Sequence, residues 1–353
     1  MRIIMHMSNT ITKAAIVGAS GYAGAELIRI IHAHPYFELG ALAAGANAGA
    51  KLTDVHPQFS SVAELASKVF VASTPAELAG HDLVFLALPH GQSAELIAQL
   101  PTDIQIVDLG ADFRLEDDKD WHTYYGGAYA GSWTYGIPEV HGQRAKISGS
   151  TRVANPGCYA TAIELGLAPL LGANLIETND IIVVAASGTS GAGRTAKVNL
   201  LNSEVAGSMS TYKVGGTHQH TPEIEQMLSH VAGADVQINF TPMLAPMPRG
   251  ILATLSVKTS QGAPMLRTAM QDYYAGEAFI TVLPEGQLPV TASTLGSNAV
   301  HIQVAKDDRT NRATVIVAID NLIKGAAGQA VQNANLICGY DETTGLSAIG
   351  VAP

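Results

Sequence analysis

Apolar residues fall into short continuous runs early in the chain and into alternating runs later. Ala14 to Val17 is a compact apolar run that stops at Gly18, and Ala25 to His32 reads as a helix. Leu39 to Ala43, Leu83 to Leu88 and Ile104 to Leu109 repeat the strand signal, with a helix from Ser93 to Leu100 between the last two. Strands alternating with helices predict a parallel sheet with right-handed crossovers, and near-continuous apolar strands suit a sheet covered on both faces. Residues 111 to 150, rich in Gly, Tyr and Trp, read as loop. Tyr159 to Leu171 is helical and Ile181 to Ala186 is a strong strand. Gly250 to Lys258, Val300 to Val304 and Thr314 to Ile319 predict an antiparallel sheet, and Leu322 to Leu336 a last helix.

The expected architecture is α/β in two domains. A parallel-sheet nucleotide domain occupies 1–157, with a helix from 325–353 packing back on it, and a mixed α+β domain occupies 158–324. A chain of 353 residues is long for one core and suits two. With 47% hydrophobic and 14% charged residues it can bury a large interior. The net charge of -10, without a run of Lys and Arg, argues against nucleic acid or an anionic membrane as partner. No run of roughly 18 apolar residues predicts a membrane span. Met1 to Thr12 reads as a short lead-in without the apolar core of a signal peptide. Two cysteines make no disulfide framework, so the expected setting is a reducing cytoplasm.

Gly18-Ala19-Ser20-Gly21-Tyr22-Ala23-Gly24 follows a strand and opens a helix. The spacing is a variant of the dinucleotide fingerprint, in which glycines let a pyrophosphate approach the backbone at a helix N-terminus. A glycine turn that only packs helix on sheet is the alternative. The end of the second strand, Ala43-Ala44-Gly45-Ala46-Asn47, carries no acid to hold a ribose 2′-hydroxyl, which favours NADP over NAD. Lys51 stands close enough in sequence to help.

Cys158 follows Asn155-Pro156-Gly157 and opens a helix, a position that stabilises a thiolate and offers N–H groups to an oxyanion. By position alone it could equally be a packed core thiol. Cys338, before Gly339-Tyr340, has no such setting and reads as structural. A nucleophilic thiol needs a base. His218 and His220 precede Pro222 and Glu223 at a helix start, and Glu223 could orient the His220 ring. His32, His34, His56, His81 and His122 read as surface or loop residues. His90 lines the cofactor cleft or is a plain turn residue. The loop Ser187 to Arg194 could form an anion nest or face a nicotinamide. Arg114 and Arg249 are anion clamps or surface ion pairs. One Cys and an H-x-H pair make no zinc set.

In order, GASGYAG at 18–24, LALPHG at 86–91, DLGADFRL at 108–115, YGIPE at 135–139, NPGCY at 155–159, SGTSGAGR at 187–194, HQHTPEIEQ at 218–226, PRGIL at 248–252 and GSNAVHI at 296–302 span nearly the whole chain. On these segments the sequence resembles the N-acetyl-γ-glutamyl-phosphate reductases of arginine biosynthesis. The resemblance implies a Rossmann-type domain joined to an α+β catalytic and oligomerisation domain. It implies Cys158 as nucleophile and His220, or else His218, as acid/base beside Glu223. It implies cofactor contacts at Gly18, Ser20, Gly21, Tyr22, Ala23, Gly24, Pro89, Ser187, Gly188, Gly191 and Asn321. Substrate contacts are implied at Arg114, Asn155 and Arg249, with NADP as cofactor and a homo-oligomer, plausibly a tetramer, as the assembly. Gln219 departs from the basic residue expected between the two histidines in some relatives. An aspartate-semialdehyde dehydrogenase is the nearest rival, and a non-catalytic NADP-binding protein the rival of another class.

Overall fold

Strands β1 (Thr12–Val17), β2 (Phe37–Ala43), β3 (Leu83–Leu86), β4 (Gln105–Asp108), β5 (Thr134–Tyr135) and β6 (Arg152–Ala154) form one sheet in the order β2-β1-β3-β4-β6-β5. Every pairing is parallel. The computed structural model describes residues 11–352, so most of the expected lead-in, up to Thr10, lies outside the described residues. The chain divides into two compact units. The first runs to Arg114 and takes in Ala130–Asn155 and Ala327–Leu346; the second holds Leu115–Tyr129, Pro156–Ala326 and the end from Ser347.

In the first unit, Val84, Phe85, Leu86, Ile106 and Val107 are fully buried, as expected of a sheet covered on both faces. Each such large side chain stabilises the fold by roughly 1.5–3 kcal/mol. The helix Gly328–Ile337 packs on β4 and on the helices Tyr22–His32 and Gln143–Ser148.

Three expectations need correction here. Residues 111–150 are not all loop, since Asp118–Tyr124 and Gln143–Ser148 are helices. The first is capped by the Asp117 side chain, which accepts from the Lys119 N–H. His34 and His56 are buried rather than on the surface. His34 stacks on Phe37, donates from Nε2 to Asn335 Oδ1 at 3.0 Å, and accepts at Nδ1 from the Tyr36 and Phe37 N–H groups. His56 packs edge-on against Phe59 and Phe70, and its Nε2 donates to Ala19 O at 3.0 Å.

The second unit is built on β7 (Ile181–Ser187), β8 (Ser210–Thr211), β9 (Ile238–Leu244), β10 (Ile251–Lys258), β11 (Ile280–Val282), β12 (Val300–Asp307) and β13 (Arg312–Ile319). Their order is β11-β12-β13-β10-β7-β9-β8. The sheet is mixed rather than antiparallel, because β7 pairs with β9 and β11 with β12 in parallel. The helix Cys158–Gly172 lies on β10 and β13, and Tyr159 to Leu171 are all buried. At Gly166 a Cβ would come within 2.4 Å of Leu255, so the helix can approach the sheet only on a bare residue. Pro169 leaves the Leu165 carbonyl without its helical donor, and the Tyr274 hydroxyl supplies one instead. The last predicted helix begins one element earlier in a different form: Ile323–Ala327 is a π-turn, and only then does the α-helix start. Among the described residues no helix is long and apolar enough to cross a membrane.

Burial lowers the His34 pKa from 6.5 to about 4, against the hydrogen bond it donates to Asn335, which raises it. The unfolded chain then takes up a proton near pH 6.5 that the folded chain refuses until about 4. Stability is therefore intact above 6.5 and is lost as pH falls through that window. Urea midpoints measured from pH 7.5 to 4 should fall in the wild type, with a shallower fall in His34→Gln.

Candidate active site

Three glycines after β1 do different work. Gly18 has φ +82°, and a Cβ there would lie 2.2 Å from Ala87 O; one on Gly24 would lie 2.5 Å from Gly18 O. These two are required by packing of the turn. A Cβ on Gly21 would meet only Gly18 O, at 3.4 Å, so its neighbours do not demand a glycine. The bare position leaves space at the N-terminus of the helix Tyr22–His32, where no side chain caps. The N–H groups of Tyr22, Ala23 and Gly24 have no intrahelical acceptor by helix geometry. Such a cradle fits the pyrophosphate of a dinucleotide. Beneath it, His56 holds the Ala19 carbonyl, a support that sequence spacing could not reveal.

Pro89 and His90 are exposed just past β3. The turn they begin is fastened by Asp112, whose carboxylate accepts from the Gly91, Ser93 and Ala94 N–H groups at 2.6–3.1 Å. Asp108, fully buried at the end of β4, takes bonds from Ser93 Oγ and the Gly110 N–H, and burial raises its pKa to about 7. Neither aspartate stood out in the sequence, because a lone carboxylate signals nothing until its donors are known.

In the second unit Cys158 is the first residue of a 15-residue helix and is partly exposed. The residue before it is gripped twice. The Gly157 N–H donates to Glu223 Oε1 at 2.7 Å, and a Cβ on Gly157 would lie 2.4 Å from His220 Nε2. Glu223, fully buried, thus fixes the loop that leads into Cys158, a contact beyond the ring orientation expected of it. His220 opens the helix His220–Ala232, with its ring against Gly157. His218 differs. It is 6% exposed, packs edge-on against Tyr159, Tyr212 and Phe240, and accepts at Nδ1 from the His220 N–H at 3.1 Å. Burial, with help from the Lys213 charge, lowers its pKa to about 4. A neutral imidazole is also what an accepting Nδ1 requires. Close by, the Tyr212 hydroxyl donates to Tyr159 Oη at 3.1 Å, and burial raises its pKa to about 12. The Cys338 thiol, in the first unit, is raised to about 12 by burial and donates to Gln105 Oε1.

The loop after β7 is not an open anion nest. The Gly188, Thr189 and Ser190 N–H groups donate to the Gly250, Met247 and Pro248 carbonyls, and Gly191 N–H to Gly188 O. A Cβ on Gly188 would lie 2.7 Å from Arg249 N, so the loop packs directly on that segment. Ser187 is buried, with its hydroxyl on Gly188 O. Asn321 ties both strands of this junction, accepting from the Gly250 N–H at 2.7 Å and donating to Ser190 Oγ at 3.0 Å. Arg249 pairs with the buried Asp320 at 3.0 Å. Arg114 is buried, with Nε on Asn155 O and Nη2 on Leu109 O, and the Asn155 side chain accepts from Asn333. Each of the three expected substrate contacts is thus held by a backbone or side-chain partner from its own unit. Among the described residues no group of His, Cys, Asp or Glu is arranged to hold a metal.

Residues 13–148 match the semialdehyde dehydrogenase NAD binding domain family, and 158–321 the semialdehyde dehydrogenase dimerisation domain family. Aspartate semialdehyde dehydrogenase II from Vibrio cholerae has the same fold, with a TM-score of 0.70 at 18% identity over 94% of this chain and 99% of that one. A Candida albicans aspartate semialdehyde dehydrogenase solved with NADP gives 0.66 at 16% identity, covering 93% and 99%. Fold and thiol site thus define a dinucleotide-binding oxidoreductase of the semialdehyde dehydrogenase class. The N-acetyl-γ-glutamyl-phosphate reductase of Acidothermus cellulolyticus is 54% identical over 97% of this chain and 99% of its own. That of Streptomyces coelicolor is 55% identical over the same shares. The chain belongs to the N-acetyl-γ-glutamyl-phosphate reductase family.

Removing the Glu223 carboxylate leaves the Gly157 N–H without that acceptor and loosens the residue before the thiol. Glu223→Ala should lower kcat by about tenfold to a hundredfold. Glu223→Gln, which keeps an acceptor oxygen, should lose less. Steady-state kinetics on variants shown to be folded by circular dichroism check this.

Proposed function

We propose that this chain reduces N-acetyl-γ-glutamyl phosphate to N-acetyl-glutamate 5-semialdehyde, releasing phosphate, with NADPH as reductant, in the arginine biosynthesis of the cytoplasm. One observation carries the reading: an accessible thiol at a helix N-terminus, with a histidine ring packed on the preceding glycine. The relatives named for this reaction are more than half identical.

The Cys158 sulfur attacks the acyl carbon as the C–O bond to phosphate breaks, leaving a thioester on the enzyme and phosphate as leaving group. First-turn N–H groups of the helix are oriented toward negative charge developing at that carbonyl oxygen. The dinucleotide, when bound, supplies the hydride that reduces a thioester to the aldehyde level. His220 takes the thiol proton during attack and returns a proton to the sulfur or oxygen when the aldehyde leaves. His218 is a neutral imidazole near neutral pH, because burial lowers its pKa to about 4, so it carries no imidazolium proton to give. Its role is to fix the His220 backbone. NADP is preferred to NAD because Gly45 and Ala46, just past β2, are exposed and uncharged, with Lys51 exposed nearby. A ribose 2′-phosphate there meets no acid.

The assembly is a homo-oligomer, a tetramer by resemblance. The outer face of β7 leaves Ile182 and Val184 about two-fifths exposed, in a segment matching a dimerisation domain family, and this face is offered to a second copy.

The reaction is read in reverse by mixing enzyme, N-acetyl-glutamate semialdehyde, phosphate and NADP and following NADPH. Turnover should require phosphate and vanish in Cys158→Ala; phosphate-independent turnover would sink the mechanism. His220→Asn should cost about 10²–10⁴ in kcat and remove one limb of the pH–rate profile. His218→Asn should keep that limb.

A further inference from the structure

The far side of Cys158 is closed by a part of the chain that no sequence motif connected with it. Gly325 is buried, and a Cβ placed on it would lie 2.7 Å from Cys158 Cβ and 3.3 Å from Cys158 Cα. Contacts that short do not occur between real side chains, so the bare Cα of Gly325 forms one wall against the thiol-bearing carbon. Its backbone lies outside the left-handed region, so chain conformation does not demand a glycine; the approach to Cys158 does.

Gly325 stands in the π-turn Ile323–Ala327, where its N–H reaches back to Asp320 O at 3.0 Å. Single π-turns are costly and persist where something fixes them. Here that is the Asp320 carboxylate, which is fully buried. Its Oδ1 accepts from the Leu322 and Ile323 N–H groups at 2.8 and 3.2 Å, which opens the turn. Its Oδ2 accepts from the Gly296 N–H at 2.7 Å and pairs with Arg249 at 3.0 Å. A carboxylate taking donors from three segments defines a point in space more sharply than packing alone.

We propose that Asp320, held by Arg249, positions the Cys158 sulfur through the π-turn, with Gly325 as the contact. Asp320, Arg249 and Gly325 are positioning residues, and the idea rests on Cys158 being the nucleophile. A shift of Gly325 by part of an ångström turns the Cβ–Sγ bond away from its line of attack.

The test uses the full-length enzyme and two readouts: Cys158 alkylation by iodoacetamide against pH, followed by peptide mass spectrometry with Cys338 as internal reference, and kcat and KM in the reverse assay. Gly325→Ala should slow alkylation and lower kcat together, by about tenfold or more. KM for NADP should stay within about twofold, because ground-state binding of the cofactor is untouched. Asp320→Asn, which keeps the volume, should show the same pattern more mildly, and Arg249→Lys should retain more activity than Arg249→Met. Gly149→Ala, an exposed site with room for a methyl, serves as control. A merely structural role would lower thermal stability while leaving alkylation and kcat of the folded fraction as in wild type, and that result overturns the proposal. Should Gly325→Ala not fold, Asp320→Asn and the two Arg249 variants decide on the same criterion. Wild-type Cys158 no more reactive than Cys338 would instead remove the nucleophile reading itself.

Discussion

Cys158 stays reachable from outside at the head of a helix that is otherwise buried, and two missing side chains make room for it there. Gly157 gives up its Cβ to the His220 ring, and Gly325 gives up its own to Cys158. Between them the first turn of the helix has one place to stand. The rest of the second unit follows from holding it there. The helix is buried along its length on β10 and β13, approaches them at Gly166, and has Pro169 accommodated by Tyr274.

Around this rigid end the protein uses buried polar groups rather than bulk. Glu223, Asp320 and Asn321 are almost wholly enclosed, and each receives backbone N–H groups from segments distant in the chain. A buried donor left without a partner costs about 1–3 kcal/mol, so each of these side chains is fixed by the donors it satisfies. In a chain with only 14% charged residues, several of them act inside as braces, Arg114 and Arg249 included. The first unit repeats the device: Asp112 fastens the turn after β3, and His56 supports the glycine turn after β1.

Much of this was legible beforehand. The parallel sheet showed as short apolar runs, because a strand covered on both faces has no polar side to display. The turn after β1 showed as glycine spacing between a strand and a helix, and the thiol as a cysteine opening a helix. The loop 187–194 looked like an anion nest on composition, yet the Gly188, Thr189 and Ser190 N–H groups pair with carbonyls of residues 247–250. His34 and His56 looked like loop residues, and their burial came from aromatic neighbours and partners elsewhere in the chain.

Local spacing, then, determined what depends on neighbouring residues alone: where strands and helices form, where a turn must be bare, and which cysteine heads a helix. The order of its motifs also determined the family. The tertiary structure separated the surroundings of the two histidines, since whether an imidazole stays neutral depends on what encloses it: His218 is enclosed by Tyr159, Tyr212 and Phe240, while the His220 ring lies against Gly157. It also decided what Glu223 holds, 66 residues from its partner at Gly157, and what Gly325 touches. Burial and hydrogen bonding are properties of a place in space, and the chain reaches that place only after it has folded.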